Sequence, residues 1–142
     1  MRRRVDGHKF QKEFEKAFED KYYILRLYTP NTGYSGLTQP ADFLVVGEHT
    51  TFVELKETGA DSLSITQLQQ LPEIYSFVEQ RQQLRFKAEY LLIVHFIKHS
   101  RLLVLTAEQL LATYAKQKSL RYDMPNARTY PTLKALKEAN IF

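Results

Sequence analysis

Ala41-Asp42-Phe43-Leu44-Val45-Val46 and Thr51-Phe52-Val53-Glu54-Leu55-Lys56 are the two stretches on which the reading of this chain turns. Both are rich in β-branched and aromatic residues, and the polar Gly47-Glu48-His49-Thr50 between them predicts a turn joining neighbouring strands. Side chains alternate across a strand, so Glu54 and Lys56 share one face while Val53 and Leu55 take the other. A carboxylate and an ammonium in an apolar strand are costly unless they are paired or bind something. With Asp42 opposite them across the hairpin, two acids and one lysine converge, a suitable place for a divalent cation beside a phosphodiester. The bland alternative is a Glu54–Lys56 strand pair with an exposed Asp42, because Asp-x(11)-Glu-x-Lys is a common string.

Upstream, Phe10, Phe14, Ala17 and Phe18 recur at helical spacing and predict an amphipathic helix from about His8 to Lys21. Tyr22 to Tyr28 reads as a strand, and Thr29 to Pro40, with its prolines and glycines, as a loop. Downstream, Glu57 to Ser62 reads as a polar linker. A helix is expected from about Ile65 into the eighties, kinked or broken at Pro72. Glu89 to Ile97 and Arg101 to Leu105 are strands joined at Lys98-His99-Ser100. Thr106 to Gln109 is a capping box opening a helix to about Lys118. Ser119 to Thr129 reads as irregular, and Pro131 suits the first turn of a closing helix through Ala139. This order favours an α/β fold, a mixed central β-sheet flanked by helices, in a single domain over residues 1–142.

Composition narrows the function classes. A formal net charge of +4 permits a nucleic-acid partner without demanding one. The absence of cysteine excludes a disulfide framework and a thiolate metal site, and fits a cytoplasmic setting. The longest apolar run, around Tyr90 to Ile97, is too short to span a bilayer, so no membrane association is expected. No glycine-rich phosphate loop or nucleophile elbow marks an organic cofactor or a covalent mechanism. The four histidines share no metal-ligand spacing, and His95 reads as a satisfied core residue.

Asp42 and Glu54 are therefore the candidate oxygen ligands for Mg²⁺, which favours hard oxygens and keeps several waters. Lys56 could orient or deprotonate the attacking water and stabilise the developing charge on phosphorus. Glu13, one turn beyond Phe10, flanks the Phe10/Phe14/Ala17 stripe. It could reach the site from the side or be an ordinary surface acid. Gln67, at the polar start of the second helix, could bind a metal water or a phosphate, or belong to a solvated face. Among the basic residues, Arg2, Arg3 and Arg4, with Lys9 on the adjoining helix, are the candidate DNA contacts. Further basic clusters occur at Arg81/Arg85/Lys87 and Lys98/Arg101.

Asp42 together with Phe52-Val53-Glu54-Leu55-Lys56-Glu57-Thr58 resembles the PD-(D/E)xK nuclease core as it occurs in RecU-type Holliday junction resolvases. Gly7 to Glu13 is similar to the opening helix of that family, Thr66-Gln67-Leu68 to the segment presenting its glutamine, and Leu133 to Phe142 to its C-terminal helix. The resemblance implies a restriction-endonuclease-like core and a Mg²⁺-dependent endonuclease, with Mn²⁺ as a possible substitute, that nicks four-way DNA junctions symmetrically as a homodimer. It implies Asp42 and Glu54 at the metal, Gln67 assisting there, Lys56 stabilising the transition state and Glu13 as an accessory acid. Two departures stand out. The region holding the family's long stalk is only Thr29 to Pro40 here, and Pro40 replaces a threonine two residues before the metal aspartate. Such a compact form suits a bacterial or phage protein. Two other readings remain open at this stage: a PD-(D/E)xK nuclease acting on duplex ends, nicks or a restriction site, and a non-catalytic DNA-binding module on the same fold.

Overall fold

The computed structural model describes residues 7–27, 41–68 and 70–142. The expectations for Arg2, Arg3 and Arg4, for the Thr29–Pro40 loop and for Pro40 lie outside the described residues.

Helix α1 (Gly7–Phe18) opens the fold and is followed by strands β1 (Tyr23–Arg26), β2 (Phe43–Val46) and β3 (Thr50–Thr58). These three strands form an antiparallel meander in which Phe43 faces Val53 and Val46 faces Thr50. A short strand β4 (Ser62–Ser64) and a 3₁₀ turn (Ile65–Gln67) lead to α2 (Leu71–Leu84), and β5 (Glu89–Phe96) then runs parallel to β3. A parallel neighbour requires a crossover connection, which α2 supplies. After β5 come β6 (Arg101–Thr106), α3 (Ala107–Lys116), β7 (Ser119–Arg121), β8 (Arg128–Tyr130) and α4 (Leu133–Glu138). The main sheet has the order β1-β2-β3-β5-β6-β8, and β4 pairs with β7 in a separate ribbon. The expected α/β class, a mixed sheet flanked by helices, is the observed one.

Three expectations change. The second helix starts at Leu71, because Pro72 lies in its first turn, where a missing N–H costs nothing; no kink is needed. The Glu57–Ser62 linker is partly strand: β3 continues to Thr58 and β4 begins at Ser62. The irregular Ser119–Thr129 stretch contains β7 and the start of β8, each held by pairing to a strand distant in sequence. At α3 the capping box forms as expected: the Gln109 N–H donates to Thr106 Oγ1 (3.1 Å), and the Thr106 N–H donates to Gln109 Oε1 (2.9 Å).

Helices cover both faces of the sheet. On one side Phe10, Phe14 and Phe18 of α1 pack with Phe43, Val45, Val53, Leu55, Ile93, Leu136 and Phe142. On the other, Ile74 and Phe77 of α2 and Ala107 and Leu110 of α3 pack with Tyr90, Leu92, Val94 and Leu103. This double cover explains why β5 is apolar and buried from Tyr90 to Val94 without alternation. Arg81 ties the second layer together, its guanidinium reaching Glu89 and Glu108 at 3.0 Å each. That residue is thus engaged in the fold instead of presented to phosphate. At the β2–β3 turn, a Cβ on Gly47 would come within 2.6 Å of the Tyr22 ring, so glycine is what lets Tyr22 and Phe142 close over this end. No helix among the described residues is long and apolar enough to cross a membrane.

Candidate active site

The site is built where β2 leaves β3. The Leu27 N–H donates to the Asp42 carbonyl (2.8 Å) and the Asp42 N–H to the Val53 carbonyl (3.0 Å), so Asp42 stands at the point where the β2–β3 ladder ends. The Leu55 N–H on β3 donates instead to Asp42 Oδ2 at 2.8 Å. A backbone group thereby fixes the carboxylate in place. Because Phe43 faces Val53, Asp42 comes opposite Glu54, and the two carboxyls influence each other's ionisation.

Glu54 occupies the middle of β3, 1% exposed, flanked in the parallel register by Leu92 of β5. Such a position strongly disfavours a charge. Burial, and then the neighbouring Asp42 carboxylate, push the Glu54 carboxyl up to about 8, against a partial counter-effect from Lys56. Burial also raises Asp42, opposed by the Leu55 N–H and by Lys56. Lys56, one strand step further on the same face, places Nζ 3.4 Å from Glu54 Oε1 and remains about one-third exposed. The other Glu54 oxygen, Oε2, is buried with no hydrogen-bond partner. Without a cation, burial and the neighbouring Asp42 favour the protonated form of Glu54, against the pull of the Lys56 ammonium. The arrangement can therefore bind a divalent cation through oxygen, and it can hold an ammonium beside whatever that cation carries.

The remaining candidates are placed differently. Glu13 is solvent-exposed, beside a shallow groove with Lys9, Lys12 and Lys16. The expectation that it turns partly inward is corrected: Phe18 is fully buried, which rotates the centre of the apolar stripe away from Glu13 and toward Gln11. Gln11 is half-buried and accepts a hydrogen bond from Arg26, whose guanidinium also pairs with Glu15 at 3.5 Å and slightly lowers Asp42. Moreover, α1 covers the Val53/Leu55 face, across the sheet from Glu54. Gln67 is exposed on the 3₁₀ turn, ahead of the helix expected to present it, and takes no part in the contacts that set Asp42 and Glu54. Lys9 is exposed on α1. His95 is satisfied as expected, its Nδ1 2.6 Å from Glu57 Oε2.

Three polar side chains on the α2 side of the sheet escaped the sequence reading. Tyr90 lies beside Phe52 in register and is influenced by Glu54, Asp42 and Glu73. Glu73, in the first turn of α2, and Gln70, the residue capping that helix, each bury an unpartnered oxygen. The only sequence signal was the position of Glu73 directly after Leu71-Pro72, at a helix start where an acid is favoured.

No family model matches the chain, and no curated protein matches its sequence. Its architecture matches a solved structure, Hjc of the archaeal hyperthermophile Archaeoglobus fulgidus, described as a Holliday junction resolvase. The superposition covers 72% of this chain and 78% of that one, with a TM-score of 0.51 and 11% sequence identity. At that identity the match speaks for the fold: a restriction-endonuclease-like core, the mixed α/β architecture of Hjc.

Proposed function

We propose that the chain is a divalent-metal-dependent, structure-selective DNA endonuclease that resolves four-way junctions by paired symmetric nicks. The observation that carries this is the opposition of Asp42 and Glu54 on a buried strand, with Lys56 3.4 Å from Glu54, in a restriction-endonuclease-like sheet. The junction substrate draws its support from the fold shared with Hjc and from the RecU-type wording of Phe52 to Thr58.

In this reading Asp42 and Glu54 hold the cation, Mg²⁺ or Mn²⁺. The residues present fit such an ion: all donors are oxygens, Oε2 of Glu54 is an unpartnered acceptor, and a positive charge there would favour ionisation of Glu54. When bound, the ion supplies charge neutralisation at the phosphodiester and acidifies a water. The Leu55 N–H holds the Asp42 carboxylate in one orientation. The Lys56 ammonium, partly exposed and anchored on Glu54, donates hydrogen bonds to the attacking water or to a non-bridging phosphate oxygen as charge builds there. Lys9, together with Arg2, Arg3 and Arg4, supplies phosphate contacts, while Gln67 and Glu13 are at most peripheral. Two cuts related by symmetry call for two copies of the site, hence a homodimer. A bacterial cytoplasm, or a phage protein acting within it, is the setting this reading gives it.

The test is cleavage of an end-labelled four-way junction beside a linear duplex of the same sequence, with Mg²⁺ or EDTA, and with Glu54→Ala as control. Symmetric, metal-dependent nicks confined to the junction and lost in the variant are expected. Equal cutting of both substrates would make the protein a general DNA nuclease, the reading favoured by the short Thr29–Pro40 span. Junction binding with no cutting under any metal would make it a non-catalytic module. Light scattering at micromolar concentration checks the dimer, and a monomeric mass would remove it.

A further inference from the structure

Tyr90 is the largest fully buried side chain among the described residues, 1% exposed, and its hydroxyl has no hydrogen-bond partner. A buried hydroxyl is normally paired, so one left open beside a functional site points to something that fills it. The strand register puts Tyr90 on the Phe52/Glu54 face of the sheet, with its ring against Phe77 of α2. Phe77 of α2 meets both Phe52 and Tyr90, and Glu73 precedes Phe77 by one helical turn on the same side of α2, so the ring lies between the strand carrying Glu54 and the start of that helix. From that helix start come two more open acceptors, Glu73 Oε2 and Gln70 Oε1, both buried and unpartnered.

Direct ligation does not account for these atoms. Among the described residues no three His, Cys, Asp or Glu side chains converge closely enough to hold one ion. A layer of water does account for them. Mg²⁺ retains several waters, each of which offers protons outward and needs an acceptor. A carboxylate and a hydroxyl beyond the ion are suited to receive them.

We propose that Glu73, with the Tyr90 hydroxyl, forms the outer wall of the acid pocket and accepts hydrogen bonds from the waters of a divalent cation held by Asp42 and Glu54. Glu73 is then a positioning residue, acting on the ion through water, and this role rests on the metal reading given above.

Calorimetric titration of the full chain with Mg²⁺ and with Mn²⁺, without DNA, tests it. Asp42→Asn should abolish binding. Glu73→Gln should weaken it about tenfold, the scale of lost outer contacts at metal sites. Tyr90→Phe, which keeps the ring, should weaken binding by a smaller factor and leave melting in EDTA unchanged or raised. In cleavage, Glu73→Gln should shift the Mg²⁺ dependence by the same factor, with the rate recovering at saturating metal. Unchanged affinity in both Glu73→Gln and Tyr90→Phe, with binding abolished by Asp42→Asn, would overturn this role and leave the nuclease reading standing. No metal binding by the wild-type chain would overturn both.

Discussion

The two faces of the central sheet differ by a single step of strand alternation. Along β3, Val53 and Leu55 point into a dry aromatic layer under α1 and α4, while Glu54 and Lys56 point to the layer under α2 and α3. The aromatic face is closed: Phe14 stacks on Phe18 at 4.7 Å, and Phe142 meets both edge-on. The opposite face keeps buried polar atoms without partners on Glu54, Tyr90, Glu73 and Gln70, where the α1 side has only the Thr51 hydroxyl among the described residues. One face is closed by rings, and the other buries carboxyl, phenol and amide oxygens at a cost in stability.

Breaking the closed face should have the largest effect. Phe14 is fully buried among rings, and Phe14→Ala should cost roughly 3–5 kcal/mol of stability through lost transfer energy and a residual cavity. Chemical denaturation would measure it. If the comparison holds, folded Phe14→Ala protein at low temperature still binds Mg²⁺ with wild-type affinity, because the aromatic layer lies across the sheet from the acids.

The reverse variant comes next. Lys56→Ala removes an ammonium from the acid face at a site about one-third exposed, so stability should change little. Cleavage of a four-way junction should fall by roughly 10²–10³-fold, the usual consequence of deleting one preorganised charge donor, with junction binding retained. Single-turnover cleavage rates and gel-shift titration separate the two. Wild-type cleavage by Lys56→Ala would move the active site elsewhere.

These faces were not equally legible in the amino-acid sequence. The aromatic helix could be read because its contacts are periodic, Phe10, Phe14 and Phe18 announcing it, but the Val53/Leu55 face on which it docks could not. The Asp42/Glu54/Lys56 group was legible for the same reason, since a hairpin register brings the two acids opposite each other. What could not be read depends on contacts between residues far apart in the chain. Tyr90 is one more apolar strand position until β5 is known to run parallel to β3 with Phe52 beside it. Glu73 is one more helix acid until Phe77, one turn further along α2, is seen to pack on Tyr90. Strands β4 and β7 are three residues each, too short for any alternation, and exist because they pair with one another. Glu13 and Gln67 were read from local spacing and from the family resemblance, and packing turns both toward solvent.

Protonation sharpens the comparison without any DNA. The Glu54 carboxyl ionises near 8 in the fold, against an ordinary value of 4.5. A carboxyl raised by folding favours the folded state below its ordinary value, and that contribution is lost as pH climbs through the folded one. Asp42 shifts in the same direction. In EDTA, the melting temperature should therefore fall between about pH 5 and pH 9, by an amount corresponding to roughly a few kcal/mol at most. Glu54→Gln should flatten that fall, and Mg²⁺ should oppose it in the wild type by binding only the ionised, folded site. A flat wild-type profile would mean that the acid pair carries no strain.

The smallest effect asks whether the aromatic face has any part in function beyond folding. Lys9, Lys12 and Lys16 line the exposed side of α1, the helix that seals that face. If DNA reaches around the sheet to α1, Lys9→Ala should weaken junction binding about equally for every sequence. It should also reduce the salt dependence of log K by about one ion, the signature of a single lost phosphate contact. Titrations at several salt concentrations read this slope directly. An unchanged slope would confine DNA to the acid face. The division of labour across the sheet would then be complete, with the α1 layer serving stability alone.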